Sequence, residues 1–358
     1  MKLLLIGEAP LPYGGITSHC VRLLGWLRGL GHDAILAHVP SWRLTPVASP
    51  RPDIVPCRNS FLALWRLLRA QRPALVHLHV YRWRAVLMLA WARQGRFGLP
   101  PCRVVATVHG EGFFAAIPGL VRPWVYAALR QFDQIVADNP MLQQRLETEA
   151  GVIPARIALH GAFLPPDASE RNAELLPADV RAFMASCRPL LATNGAMADF
   201  RGDDKYGFDL VLQATARLAV DHPQIGLVAC VTDVQDAARW QRVQALVGEL
   251  GLTGRVRFVR QLPSFLPVLQ SADASVRATN TDGDALSVHE SLLLGTPVVA
   301  SDVVVRPPLA DRFRNRDVDD LVRALAEVLA RGRHPPEVAG QVPHNGRDLL
   351  AIYERLLA

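Results

Sequence analysis

Short runs of β-branched and other apolar residues alternate along this chain with longer amphipathic stretches, and the alternation runs through twice. A chain patterned in this way builds parallel sheets covered by helices. In the first half, strands are predicted at 2–6, 34–39, 75–80, 104–109, 134–137 and 157–160. Between them lie helical patterns such as 16–30, which stops at Gly31, where a helix C-terminal glycine is expected. Residues 165–188, rich in Pro, Asp, Glu and Ala and weakly periodic, read as the interdomain connection. The pattern then restarts, with strands predicted at 190–193, 226–231, 256–259, 274–278 and 298–301 and helices near 208–220, 237–250, 285–294 and 318–330. The last segment, 346–357, carries Leu349, Leu350, Tyr353, Leu356 and Leu357 at helical spacing. The expected division is a first domain at 1–168 and a second at 185–344, with the first domain as a surface on which the C-terminal helix 345–358 can pack back. Open parallel sheets bind ligands beyond the C-terminal ends of their strands, so two Rossmann-like domains are expected to face a central cleft.

Composition agrees with this reading. The chain has 358 residues, the size of two ordinary domains, and half of them are hydrophobic, which excludes intrinsic disorder. In the apolar segment around residue 85, the charge-free stretch 85–92 between Arg84 and Arg93 falls far short of the roughly 20 residues a membrane span needs. Leu3 to Ile6 is interrupted by Gly7 and Glu8 before a signal-peptide core could form, and a cytoplasmic location is expected. The five cysteines are scattered, with no C-x-x-C pair, and suggest neither a disulfide framework nor a zinc site. The net charge of +6 is uneven: 18 basic against 10 acidic residues up to position 170, and 21 against 23 after it. Lys2 and Lys205 are the only lysines among the 39 basic residues.

The segment from Arg277 to Asp302 is the most informative. A strand ends, a polar turn Asn280-Thr-Asp-Gly-Asp284 follows, a helix runs from Ala285 to a stop at Gly295, and Pro297 opens the next strand. Asp284 is placed to cap that helix. Glu290 lies about 40° from both Leu286 and Leu294 on a helical wheel, which puts a carboxylate on an apolar stripe. An ionised carboxylate there needs hydrogen-bond donors, from the protein or from ligand hydroxyls. The helix N-terminus at Ala285 to Ser287 offers backbone N–H groups and a positive dipole end suited to a phosphate. An anion site between Asp282 and Glu290 suits a nucleotide-sugar. The alternative is that an arginine holds Glu290 structurally while Asp282 and Asp284 compete to cap the helix.

Asp282-x7-Glu290 followed by Leu-Leu-Leu-Gly-Thr-Pro-Val-Val-Ala-Ser-Asp302 resembles the E-x7-E region of retaining glycosyltransferases of family 4, bacterial polysaccharide type. The resemblance extends over nearly the whole chain through Tyr13-Gly14-Gly15-Ile16, Leu75-Val-His-Leu-His79, Ala106-Thr-Val-His-Gly110 and Ile157-Ala-Leu-His-Gly161. It implies an α/β chain of the GT-B fold that uses a nucleotide-diphosphate sugar as donor and needs no metal or other cofactor. By resemblance, Asp282, which stands where the family usually has Glu, contacts hydroxyls of the transferred sugar. Glu290 takes the ribose hydroxyls, and the backbone at Ala285 and Leu286 holds the diphosphate. Gly14 and Gly15 let the first loop approach that diphosphate closely, although an ordinary tight turn would explain them equally. His109 sits beside the reacting sugar and supports developing positive charge, making it, with Asp282, the candidate catalytic group.

In the second domain, the loop from Thr193 to Asp209 would carry the cations that neutralise the diphosphate as the bond to the sugar breaks. Ala196 stands where the family often has Arg, which leaves Arg201 and Lys205, the latter matching a Lys-x-Gly pattern. His77, His79 and His160, also at strand ends, read as structural. No G-x-G-x-x-G follows a strand and no P-loop is present.

Between Arg51 and Arg103 stand ten arginines (51, 58, 66, 69, 72, 82, 84, 93, 96, 103) and one acid, Asp53, interleaved with Phe61, Trp65, Trp83, Trp91 and Phe97. Such segments suit an anionic bilayer surface, or else form a solvated basic face with the tryptophans in the core. No nucleic-acid recognition module accompanies them. The expected activity is transfer of a hexose to a lipid-linked or polysaccharide acceptor at the inner face of the cytoplasmic membrane. A nucleotide-sugar epimerase of the same fold and a non-catalytic GT-B binding protein are the alternatives.

Overall fold

The computed structural model describes residues 1–10, 13–40, 51–80, 83–110 and 112–358, with no side-chain description at 80 and 338–340. Arg82 of the basic region lies outside the described residues. The chain divides into two compact units.

The first unit is built mainly from Gly15–Leu164 and takes in His344–Ala358. Its sheet has strands β1 (Lys2–Gly7), β2 (Asp33–His38), β3 (Ile54–Pro56), β4 (Leu75–Val80), β5 (Arg103–Val108), β6 (Gln134–Ala137) and β7 (Ile157–Leu159). They lie in the order β3-β2-β1-β4-β5-β6-β7, every pair parallel. One face of the sheet is covered by the helix Gly15–Gly29 and by the C-terminal helix Gly346–Leu357. Leu349, Ile352 and Tyr353 of that last helix are buried with Leu3, Leu5, Cys20 and Leu23. The 12-residue terminal helix is amphipathic, and its apolar stripe closes the core of the first unit. The other face packs against helices Phe61–Gln71, Trp83–Arg93 and Arg122–Leu129.

The second unit, Pro165–Pro343, repeats the architecture. Its strands are β8 (Leu190–Met197), a two-residue hairpin of β9 (Asp199–Phe200) and β10 (Asp203–Asp204), β11 (Gly226–Val234), β12 (Val256–Arg260), β13 (Ala274–Arg277), β14 (Val298–Ser301) and β15 (Asp311–Phe313). The main sheet runs β12-β11-β8-β13-β14-β15, again parallel throughout. In both units the chain starts in the middle of the sheet, winds to one edge and returns to the other side of the first strand. The order reverses there, and open sheets of this kind bind ligands at that point.

Two expectations need correction, and some short elements are unforeseen. The stretch 165–188 is no bare connection, because it forms the helix Ala178–Ser186, which buries Val180, Phe183 and Met184 against Leu190, Val228 and Val259. The three-residue edge strands β3 and β15 and the β9–β10 hairpin do not announce themselves by periodicity, being too short to show one. The helix after β13 covers Leu286–Leu293 with Ala285 at its N-cap, and no side chain caps it. Asp284 Oδ1 instead accepts from His289 Nε2 at 2.5 Å, since a side chain one turn in reaches back to it. All five cysteines are free and buried. Among the described residues, no helix is long and apolar enough to cross a membrane.

Candidate functional site

In the second unit, two loops that follow neighbouring strands of the sheet are tied together. After β8 the chain makes the β9–β10 hairpin, with Arg201 and Gly202 at its turn, both at positive φ. Arg201 is exposed, with its guanidinium 5.1 Å from the Phe200 ring centroid. Lys205 follows the hairpin, and its carbonyl accepts from the Asn280 backbone N–H and from Thr279 Oγ1, both at 2.8 Å. Asn280 Nδ2 also donates to the Asp204 carbonyl at 2.9 Å. The approach is so close that a Cβ on Gly207, at φ +66°, would fall 2.2 Å from the Ala278 carbonyl oxygen. Asp204 is buried beneath the turn and accepts the backbone N–H groups of Tyr206 and Asp209. Burial, and then the neighbouring Asp209 charge, push its carboxyl above the usual range.

Tyr206 packs against Gly195, where a Cβ would come within 2.4 Å of the ring. The ring then serves as a plate for two cations: Lys205 Nζ lies 5.5 Å and Arg277 Cζ 5.1 Å from its centroid. Arg277 ends β13 and forks onto Asp282, with Nε to Oδ2 at 3.0 Å and Nη2 to Oδ1 at 2.7 Å. Arg306 adds a third bond, Nη1 to Asp282 Oδ2 at 2.8 Å, and donates from Nε to the Ser301 carbonyl. Asp282 is 6 % exposed, Arg277 13 % and Arg306 2 % by side chain. Burial alone would raise the Asp282 pKa, but the two guanidinium groups outweigh it and hold the carboxyl below the usual range. Burial pulls the Arg306 pKa down, with Asp282 only partly offsetting it, and an arginine still stays protonated. Three of the roughly four lone-pair directions of the Asp282 carboxylate are therefore used within the protein.

Glu290 is buried on the helix Leu286–Leu293, and Ala285 and Leu286 are buried at its uncapped start. The structure thus brings Lys205 to Tyr206, Tyr206 to Arg277 and Arg277 to Asp282, while Arg201 stands apart at the hairpin turn. Gly14 and Gly15 lie outside the left-handed region, and a Cβ on either would meet nothing within 4 Å among the described residues, so neither backbone conformation requires a glycine.

In the first unit, His109 follows β5 and is buried, with Nε2 3.2 Å from Nδ1 of His79 at the end of β4. His19, on the helix Gly15–Gly29, completes a group whose ring centroids lie 4.9 Å from that of His79 and 5.1 Å from that of His109. His77 is satisfied on both sides, by Tyr353 Oη and by Thr107 Oγ1 at 2.7 Å. Burial first, and then the neighbouring imidazoles, hold His77, His79 and His109 well below the usual histidine range, which keeps them neutral. His160 is half-exposed, 3.8 Å from Asp348.

Sequence reasoning missed Arg277, Arg306, Tyr206 and His19. Arg277 and Tyr206 stand inside the segments singled out, next to Asp282 and Lys205. Arg306 and His19 gain their roles only through tertiary contact.

The basic stretch separates into two sets. Arg51 pairs with Asp53, and Arg93 and Arg103 pair with Asp133, whereas Arg58, Arg66, Arg69, Arg72, Arg84 and Arg96 are exposed. Trp65, Trp83 and Trp91 are half-buried against the core, and Phe97 is exposed.

Residues 13–160 match the family model described as Glycosyltransferase Family 4, and residues 188–331 the model described as Glycosyl transferases group 1. No curated protein sequence matches the chain. Among solved structures, a glycosyltransferase from Rickettsia africae is similar at 14% identity over 99% of this chain and 98% of that one, with a TM-score of 0.71. HepE from Anabaena, in complex with UDP-glucose, is similar at 13% identity over 99% of both chains, TM-score 0.71. WaaG, a glycosyltransferase involved in lipopolysaccharide biosynthesis, is similar at 14% identity over 99% of this chain and 98% of that one, TM-score 0.65. With both halves matched in order and the two parallel sheets of the GT-B fold in place, the chain belongs to the family 4 glycosyltransferases.

Proposed function

We propose that this glycosyltransferase is a retaining hexosyltransferase, with its second unit holding a nucleotide-diphosphate hexose and its first unit a lipid-linked or polysaccharide acceptor. The observation that carries the donor reading is the continuity from Lys205 through Tyr206 and Arg277 to Asp282, which leads into the uncapped helix bearing Glu290. Lys205 and the first N–H groups of that helix, at Ala285 and Leu286, neutralise the diphosphate as it leaves. Arg201 adds to that field from the hairpin turn. Glu290 accepts the ribose hydroxyls. Asp282 fixes Arg277 and Arg306, and its remaining lone pair is what it can offer a sugar hydroxyl. Gly14 and Gly15 leave room for the diphosphate. His109, kept neutral by burial, is a dipole beside the developing oxocarbenium rather than a repelling cation. The acceptor attacks from the face the diphosphate leaves, which retains the anomeric configuration. No step in this scheme uses a metal or other cofactor.

HepE is described with UDP-glucose bound, so UDP-glucose is the first donor to test. Calorimetric titration with UDP, GDP and ADP, followed by donor turnover with and without a glycan acceptor, tests the reading. Binding of one nucleotide with acceptor-dependent release of it supports the proposal. Unchanged turnover in Glu290→Ala overturns it, and acceptor-independent conversion of the donor would point to an epimerase.

The acceptor side is proposed to work at an anionic membrane surface. The exposed arginines between 58 and 96 support this, each contributing about 1 kcal/mol near such a surface. Failure to sediment with phosphatidylglycerol vesicles at low salt sinks that part of the proposal.

A further inference from the structure

We propose that Arg277 is the guanidinium that binds the donor diphosphate, together with Lys205 and in place of a cation at position 196. This assignment rests on the donor reading above and gives a ligand to a residue that so far has only Asp282 as its partner. The order of the main sheet in the second unit reverses between β8 and β13. Ligands of such sheets lie in the crevice beyond the strand ends at that point. Lys205 comes from the loop after β8, and Arg277 is the last residue of β13, the strand paired beside it. Both cations sit against the Tyr206 ring, with Lys205 Nζ at 5.5 Å and Arg277 Cζ at 5.1 Å from its centroid. Ala196 is buried inside β8 and brings no charge, and Arg201 is carried away to the exposed hairpin turn.

The donor set of Arg277 is only partly used. A guanidinium has five N–H groups. Arg277 directs one from Nε and one from Nη2 onto the two oxygens of Asp282. Its Nη1 has no partner among the described residues and is not buried. Because the fork onto Asp282 is made through Nε and Nη2, the edge between Nη1 and Nη2 stays open, and that edge matches two phosphate oxygens. Arg306 differs: Nε, Nη1 and Nη2 are all engaged, by Ser301 and Asp282. Arg306 therefore fixes Asp282, and Asp282 in turn holds Arg277 in one orientation, as a preorganised cation requires. Charge points the same way. Two guanidinium groups share the single carboxylate of Asp282, which leaves one positive charge over in a nearly dry cluster. Asp284 offsets part of it through Arg306 and itself accepts from His289, whereas Asp282 is the acid that acts on Arg277. An anion at the open edge of Arg277 supplies the missing charge.

The test keeps this assignment apart from the donor reading. Calorimetry with UDP, or with GDP or ADP if that is what the unaltered protein binds, is repeated on Arg277→Gln and Arg306→Met, with thermal unfolding to check that each is folded. Arg277→Gln should weaken the nucleoside diphosphate about 30-fold, the size of a charge-assisted contact, while the parent nucleoside, followed by saturation-transfer NMR, stays within about twofold. Arg306→Met should lose less than about threefold, because its guanidinium engages protein alone. Arg277→Lys keeps a charge without the fork and should recover part of the loss. If Arg277→Gln does not fold, a crystal structure of the unaltered protein with the nucleoside diphosphate decides, with an Arg277 nitrogen within about 3.2 Å of a phosphate oxygen expected. Unchanged diphosphate affinity in folded Arg277→Gln, an equal loss in Arg306→Met, or a guanidinium more than about 5 Å from any phosphate oxygen overturns the assignment and leaves the donor reading standing. Failure of the unaltered protein to bind any of the three nucleotides overturns both.

Discussion

Arg306 reaches back across 24 residues to donate from Nη1 to Asp282 Oδ2 at 2.8 Å, where Arg277 already forks onto the same carboxylate. Two cations thus share one buried anion ahead of the helix that bears Glu290. In this arrangement Asp282 is as much a structural ion as a ligand group, and the two roles make different predictions.

Replacing Asp282 by Ala leaves two buried guanidinium groups without their counter-ion. Breaking a buried ion pair from one side typically costs about 3–5 kcal/mol. Denaturant unfolding of Asp282→Ala should show a loss of that order, and a loss below about 1 kcal/mol would mean that the carboxylate serves ligand alone. Removing Arg306 instead, as Arg306→Met, leaves the Arg277–Asp282 pair intact and should cost less.

Lys205 sits half-exposed on Tyr206, with its backbone rather than its ammonium group held by the neighbouring loop. Lys205→Ala should therefore lower kcat/KM about 10²-fold, the size found when one preorganised electrostatic group is removed. Its stability should stay within about 0.5 kcal/mol of the unaltered protein. Lys205→Arg keeps the charge and should recover part of the rate. Steady-state kinetics with the donor found by titration, alongside thermal unfolding, separates these outcomes.

Gly207 tests whether the two loops of the second unit must interlock. An alanine there would combine a left-handed φ with a Cβ 2.2 Å from a backbone oxygen that has no freedom to move. Gly207→Ala should cost about 2 kcal/mol or more and reduce turnover along with stability. Gly202→Ala at the exposed hairpin turn, at φ +91° but with nothing near the added carbon, should cost less and leave turnover close to normal.

How far these features can be read from the sequence depends on whether they are local. The alternation of strand and helix is carried by long stretches, so both sheets and the C-terminal helix can be located, although β8 and β11 run four and three residues past their expected ends. Ile54–Pro56 and Asp311–Phe313 are three-residue edges whose pairing is supplied by β2 and β14, and nothing in their own composition signals it. The helix Ala178–Ser186 hides behind Pro177 and a run of charged residues, although its apolar face is buried. In the candidate site, Asp282 and Glu290 are legible because their spacing lies within one segment. Arg306 and His19 are not, because each meets its partners only after the sheet has brought distant strand ends together. Asp284 shows the limit of local reasoning: its position suits a cap, and the buried imidazole of His289 takes it instead.

The histidine group should impose a pH dependence on stability. His77, His79 and His109 are held well below their ordinary pKa by burial and mutual repulsion, so the folded chain leaves them neutral while the unfolded chain protonates them near pH 6.5. In the window below that value the unfolded state binds more protons, and stability must fall as the pH falls. Each histidine contributes up to about 1.4 kcal/mol per pH unit there. Urea midpoints measured from pH 7.5 to 5.0 should be flat above about pH 7 and decline steeply below 6. His77→Gln removes one of the three and should make the decline shallower, while lowering stability at pH 7.5 through the lost contacts to Tyr353 and Thr107. A profile that is flat down to pH 5 would mean that these imidazoles are charged in the folded chain.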